Sequence, residues 1–222
     1  YVLHPPGGLV GGDELSLDLS VRSGAALITT PAAGKIYRSL SAPARQRSVL
    51  SVASGASLEW LPTETIVFER ASFRGSVSVE LAEDSRFIGW DAVCFGRVAS
   101  GESFERGTYR QSLQVRKAGE LVLDEPTVAL PGSTARAGAF GFAGRSIAAT
   151  VVASPAGARE EDAVAQALEA RHAGVTTLGD VLVVRALCES ATELRSILVR
   201  LWEILRPLVI GRAACPPRIW RT

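Results

Sequence analysis

The sequence predicts a mainly β protein with two C-terminal helices, an α+β fold in which strand-turn-strand units stack as β-layers into a partial β-helix or a sandwich. Three observations support this: a period-2 alternation of apolar residues near the N-terminus, one spacing that recurs along the first half, and helical patterns confined to the end of the chain.

Leu15, Leu17, Leu19 and Val21 alternate with polar residues, as on a strand that buries one face, and Asp13 shares their parity. From Leu19 onward a pattern of apolar, two on, then six on repeats: Leu19, Val21, Leu27; Leu50, Val52, Leu58; Val79, Leu81, Phe87; and Leu113, Val115, Leu121. Turn-forming residues separate the last two members of each set: Ser23-Gly24-Ala25, Ser54-Gly55-Ala56, Glu83-Asp84-Ser85 and Ala118-Gly119-Glu120. The copies start 31, 29 and 34 residues apart, an interval that suits stacked repeats, and Pro31 and Pro62 hold matching positions in the first two.

Past Thr150 the pattern becomes helical. Glu160, Glu161 and Asp162 open a first helix with acids where the dipole favours them, and Val164, Ala167, Leu168 and Arg171 follow at helical spacing, with His172 at its C-terminus and Gly174 as its stop. Ser190-x-x-Glu193 forms a capping box for a second, whose stripe runs through Leu194, Ile197, Leu198, Leu201, Trp202 and Leu205 until Pro207. Between them Val181 to Val184 reads as one buried strand. The whole chain, 1–222, is expected to form one domain, with residues 1–152 mostly β repeats and 153–222 a helix-strand-helix and tail.

Of the 222 residues 47% are hydrophobic, ample for a sizeable core. Lys and Arg total 24 against 23 Asp and Glu, a formal net charge of +1 without any basic block, which argues against nucleic acid or a membrane surface as partner. No apolar run approaches the ~20 residues of a membrane helix, and no signal segment opens the chain, so a cytoplasmic protein is expected. Cys94, Cys188 and Cys215 are odd in number and far apart, which predicts buried free thiols and neither a disulfide framework nor a zinc knot. The chain starts at Tyr1 and contains no Met, as expected of a fragment or a processed chain.

The densest cluster of chemistry runs from His4-Pro5-Pro6-Gly7-Gly8 to Gly11-Gly12-Asp13-Glu14. Adjacent strand residues point to opposite faces, so Asp13 and Glu14 cannot chelate one ion together without a bulge. The alternative is a glycine turn with a solvated acidic strand start. The loop leads into a strand and lacks the lysine of a phosphate-binding loop. Gly-Gly-Asp-Glu also resembles the diguanylate cyclase signature, but Leu15 stands where an aromatic residue is usual, and the surroundings are all β. Among hydrolase patterns neither G-x-S-x-G nor H-E-x-x-H occurs, and no catalytic reaction is expected.

Taken in order, His-Pro-Pro-Gly-Gly, Gly-Gly-Asp-Glu-Leu, Leu-Ile-Thr-Thr-Pro with Lys-x-Tyr-Arg, Leu-Glu-Trp-Leu-Pro, Gly-Trp-Asp, Gly-Arg with Gly-Glu-x-Phe, and Pro-Arg-Ile-Trp-x-Thr resemble the UreD (UreH) family of urease accessory proteins, from Leu3 to Thr222. The chain departs at Pro31-Ala32-Ala33-Gly34, where the family usually reads Pro-Gly-Ala, and at Thr63, where Gln is common. The resemblance implies a non-enzymatic maturation factor that binds UreF directly and UreG through it and docks on apo-urease. It further implies that nickel passes transiently through an internal watery passage, with Asp13, Glu14, Asp91 and Glu125 as the carried-over metal-contacting carboxylates. Oxygen ligands alone hold nickel weakly beside imidazole or thiolate, which suits a relay that must release its ion. A docking platform through which no nickel passes fits the same residues.

Overall fold

The computed structural model describes every residue except 41, 132, 134–136, 169–171 and 222, and all of Arg221 but its side chain. The chain opens with three coils: β1 (Glu14–Val21), β2 (Ala25–Thr29) and β3 (Gly34–Ile36); β4 (Ala44–Val52), β5 (Ser57–Leu61) and β6 (Thr65–Val67); β7 (Ser72–Leu81) and β8 (Arg86–Phe95). Then come β9 (Thr108–Lys117), β10 (Glu120–Ala129), β11 (Ile147–Ser154), α1 (Ala158–Ala167), β12 (Ala173–Leu178), β13 (Val181–Cys188) and α2 (Ala191–Leu205). One sheet has the order β1-β4-β7-β9-β10; the other runs β12-β13-β11-β8-β5-β2, with β6 joined to β8 and β3 to β6. The fold is thus mainly β, with mixed sheets and two C-terminal helices, as the spacing predicts.

The register shows how far the repeats hold. Leu19 opposes Leu50, Leu50 opposes Val79, and Leu58 opposes Phe87, all in parallel pairs. Leu27 departs: it opposes Glu59, because the first corner is shorter and sets Ala26 against Leu58. The fourth copy departs further. Leu113 opposes Val77 and Lys117 opposes Leu81, and β10 then folds back antiparallel on β9 instead of crossing to the other sheet. The turn chemistry explains this. Ala118 and Gly119 both have positive φ, +50° and +86°, the requirement of a tight hairpin turn, whereas at the earlier corners Gly24 and Gly55 alone are left-handed.

Between the sheets lie two apolar strata. At the corner end Leu50, Val79 and Val115 meet Leu58, Phe87, Val152 and Val183; at the other end Ala44, Phe73 and Tyr109 meet Val93 and Phe95. The outer face of the larger sheet, with Ile88, Trp90, Val151 and Val184, is covered by Val164 of α1 and by Leu194, Ile197, Leu198, Leu201, Trp202 and Leu205 of α2. Burying each such side chain contributes about 2 kcal/mol, so this stripe holds the helix in place.

Several local expectations are corrected. Helix α1 stops at Ala167; Gly174 lies within β12 opposite Arg185, and His172 stands at the start of that strand, its carbonyl accepting the Leu187 N–H. Arg171 lies outside the described residues. The single strand at 181–184 is the core of a hairpin, β12-β13, whose turn uses Gly179 at φ +63°. Glu193 caps α2 by accepting the Glu189 N–H while Ser190 Oγ accepts that of Glu193. Pro207 does not stop the run. Its missing N–H removes an α-helical bond, the chain widens into a π turn over Arg206–Ile210, and Gly211 at φ +75° ends it.

Two buried charges tie the layers together. Glu59 of β5, 3% exposed, accepts bonds from Trp202 Nε1 at 2.6 Å and Arg206 Nε at 3.0 Å, and the Arg206 guanidinium lies over the Trp202 ring. Lys117, at the end of β9, donates to Ser154 Oγ at 2.9 Å and Asp180 Oδ2 at 2.7 Å across the sandwich. Cys94 and Cys188 are buried, and burial pushes the Cys94 thiol up to about 11; Cys215, expected buried, is exposed, since the apolar contacts of the tail come later, at Trp220. Among the described residues no helix is long and apolar enough to cross a membrane.

Two outcomes follow. Glu59→Gln leaves Arg206 buried without its counter-charge and should lower unfolding free energy in urea by about 3 kcal/mol or more, whereas Glu14→Gln, which breaks an exposed pair with Arg45, should change it by about 0.5 kcal/mol or less. A thiol reagent added to the folded protein should modify Cys215 rapidly and the other two cysteines only on unfolding.

Candidate functional site

Side chains at matching positions of successive strands line up across a parallel sheet, and one such row is polar. In the smaller sheet Gln46, Gly75, Gln111 and Thr127 are direct neighbours on β4, β7, β9 and β10. In the larger sheet Asp91, Thr150, Arg185 and Gly174 are direct neighbours on β8, β11, β13 and β12. Both rows have the parity of the residues that pack between the sheets, so polar faces polar, with an apolar stratum on either side.

Two cavities border this layer. One, of about 210 Å³, is lined by Gln46, Ser48, Thr63, Asp91, Tyr109 and Gln111 and extends to Thr30 and His4. The other, of about 570 Å³ and more open, is lined by Glu125, Thr127, Thr150, His172 and Arg185, with Phe140 at its side. They adjoin where Asp91 neighbours Thr150 and Gln111 neighbours Thr127.

A break in pairing opens the first cavity beside Asp91. Strand β8 pairs with β5 up to Gly89 and with β6 from Val93, so Asp91 falls opposite the connection through Pro62, Thr63 and Glu64. That connection is held by side chains. Thr30 and Thr63 hydroxyls bond at 2.7 Å, Thr29 Oγ1 donates to the Leu61 carbonyl at 2.6 Å, and Trp90 Nε1 donates to the Pro62 carbonyl at 2.6 Å. The tail completes the support. Trp220 packs between Trp90 and Trp202, its Nε1 donates to Thr29 Oγ1 at 3.1 Å, and Arg195 both covers its ring and donates to its carbonyl. Sequence motifs far apart in the chain thus meet behind Asp91.

The carried-over carboxylates occupy three settings. Asp91 borders the cavity but is otherwise enclosed by protein. Burial raises its pKa, and hydrogen bonds from the Gln111 carboxamide and the Ala92 N–H only partly offset that. Tyr109, buried near it, is pushed well above the usual phenol range by burial and by the Asp91 charge. Glu125 lies in the layer but accepts two bonds from Arg185, at 2.7 and 2.5 Å, which occupy both its oxygens. Asp13 closes its own turn, Oδ2 accepting the Val10 N–H at 2.9 Å, and Glu14 points outward to Arg45 at 2.7 Å. Neither Asp13 nor Glu14 lines either cavity.

Among the described residues no group of three or more His, Cys, Asp or Glu converges as a metal site. Sequence reasoning missed Gln46, Ser48, Gln111, Thr150 and Arg185. The available signal was a polar residue at an inward parity position, as Gln46 and Ser48 are in β4.

Because the folded Asp91 carboxyl keeps its proton to higher pH than the unfolded chain does, its contribution to stability falls as pH rises from the ordinary aspartate range through the raised value. Asp91→Asn should remove that fall. Urea midpoints measured between about pH 4 and pH 8 should show the variant gaining on the parent as pH rises.

The chain matches the model of the family described as UreD urease accessory protein over residues 1–221. It is 42% identical to the urease accessory protein UreD of Dechloromonas aromatica over 238 residues, spanning 100% of this chain and 80% of that protein. It is 39% identical to the same protein of Methylobacillus flagellatus over 226 residues and 41% identical to that of Pseudomonas entomophila over 227 residues, covering all of this chain and 79% of each relative. With the family model matched nearly end to end and relatives at this level of identity, the chain belongs to the UreD family of urease accessory proteins.

Proposed function

We propose that the chain is a scaffold in urease maturation through which nickel passes in transit, moving along the polar layer between the two sheets. The observation that supports this is the meeting of two polar rows between apolar strata, with a cavity at each end of the contact. A folded protein gains nothing in stability from a polar stratum inside its own sandwich, since each buried polar group costs free energy unless bonded. The layer supplies hydroxyl and amide oxygens and single carboxylates, which hold nickel loosely enough to let it go.

Asp91 is the principal anion of the path. Glu125 engages an ion only when the Arg185 guanidinium gives way, and Asp13 and Glu14, at the start of β1, would meet it outside the layer. On this reading UreF docks directly, UreG joins through UreF, the assembly sits on apo-urease in the cytoplasm, and the chain performs no reaction of its own.

Asp91→Asn keeps the shape of the side chain and removes its charge. In the assembled maturation complex it should lower the nickel incorporated into urease at least about tenfold while complex formation, read by size-exclusion chromatography, is unchanged. Nickel incorporation equal to the parent's, with the complex intact, would favour a docking platform without passage and end the conduit reading.

A further inference from the structure

Gly75 sits in the middle of β7, away from any turn and without a positive φ, where glycine weakens a strand and needs a reason. A Cβ at that position would lie 1.7 Å from Gln111 Oε1 and 2.6 Å from the Phe73 ring. Gly75 and Gln111 oppose each other in the β7-β9 ladder, so the missing side chain is the seat in which the Gln111 carboxamide lies. In that seat Gln111 Oε1 is buried and has no hydrogen-bond partner among the described residues, while Gln111 and Asp91 line one cavity from opposite sheets, with the carboxamide near enough to offset part of the rise that burial gives the Asp91 carboxyl. An alanine at 75 with an apolar residue at 111 would avoid both the glycine and the orphaned acceptor. The two costs have one common product, a carboxamide that shares the cavity wall with Asp91.

We propose that Gly75 and Gln111 are positioning residues for Asp91: the glycine provides the seat, and the seated carboxamide turns the carboxylate to face the cavity. This rests on the conduit reading, in which Asp91 is the group an ion meets. Gln111 acts through Asp91, keeping one carboxylate oxygen occupied so that the other is presented to the cavity.

The test uses the full chain in the maturation complex, with Gln111→Leu, Gln111→Glu and Gly75→Ala beside Asp91→Asn. Gln111→Leu should lower nickel incorporation about tenfold with its urea midpoint close to the parent's, and Gly75→Ala should lower it similarly by displacing the carboxamide. Gln111→Glu sets a second carboxylate beside Asp91. Equilibrium dialysis of the purified chain against nickel chloride should show the ion held about tenfold more tightly than by the parent, a gain that adding Asp91→Asn abolishes. A merely structural role for Gln111 produces no such gain. If Asp91→Asn lowers incorporation but Gln111→Leu and Gln111→Glu both behave as the parent, the positioning role is overturned alone. If Asp91→Asn leaves incorporation unchanged, the conduit reading fails and this inference with it.

Discussion

Parallel, in-register stacking of the coils is the constraint on which the rest of the molecule depends. It sets residues at equivalent positions side by side about 4.8 Å apart, so whatever chemistry one coil turns inward, the next coil must match or tolerate. Leu19, Leu50 and Val79 satisfy it with an apolar row; Gln46, Gly75 and Gln111 satisfy it with a polar one. A slip of one residue would turn Leu50 outward and Ser51 inward, and with both inner faces buried that register is strongly excluded. The position of the polar layer is therefore fixed by the apolar strata on each side of it, at no point by the polar residues themselves.

The same constraint needs closure at the margins, and buried charges provide it. Lys117 lies at an inward position at the end of β9 and reaches Ser154 on the opposite sheet and Asp180 in the β12-β13 turn, so the sandwich ends in an ion pair and not in an open seam. Glu59, facing outward from the larger sheet, fixes α2 and the π turn through Trp202 and Arg206. Buried pairs of this kind contribute little net stability compared with apolar substitutes, but they penalise any other arrangement of their partners. Trp202 touches Trp220, which touches Trp90, the neighbour of Asp91, so the helix that covers the sheet also fixes the wall of the smaller cavity.

What the sequence could reveal follows from which signals are local. The alternation at Leu15 to Val21, the recurrent spacing through Phe87 and the stripe on α2 are each contained in a short segment, and each matches the structure except at Leu27, which the shorter first corner shifts by one residue. The fourth copy misleads because Ala118-Gly119 resembles the other corners in composition and differs in backbone sign. The β12-β13 hairpin is hidden because Ala173 to Leu178 carries only a weak pattern, half-buried at nearly every position. The polar layer is harder still. Asp91 and Glu125 enter through family resemblance, but Gln111 becomes meaningful only when the register sets it opposite Gly75, thirty-six positions away in the chain.

A divalent ion carries a tightly held hydration shell, and stripping it is costly unless ligands replace the water at once. The cavity at Asp91, about 210 Å³, compares with a liquid volume of about 30 Å³ per water molecule, so a hydrated ion fits with several of its waters. A closed cluster of histidine and cysteine would replace that shell and retain the ion. The described residues offer no such cluster but a carboxylate held by one amide, then hydroxyls, then a carboxylate already engaged by Arg185. None of these oxygens holds nickel as firmly as imidazole or thiolate would. On the proposed reading an ion in this layer keeps several of its waters and moves on, and the layer's value to urease maturation lies in that failure to bind tightly.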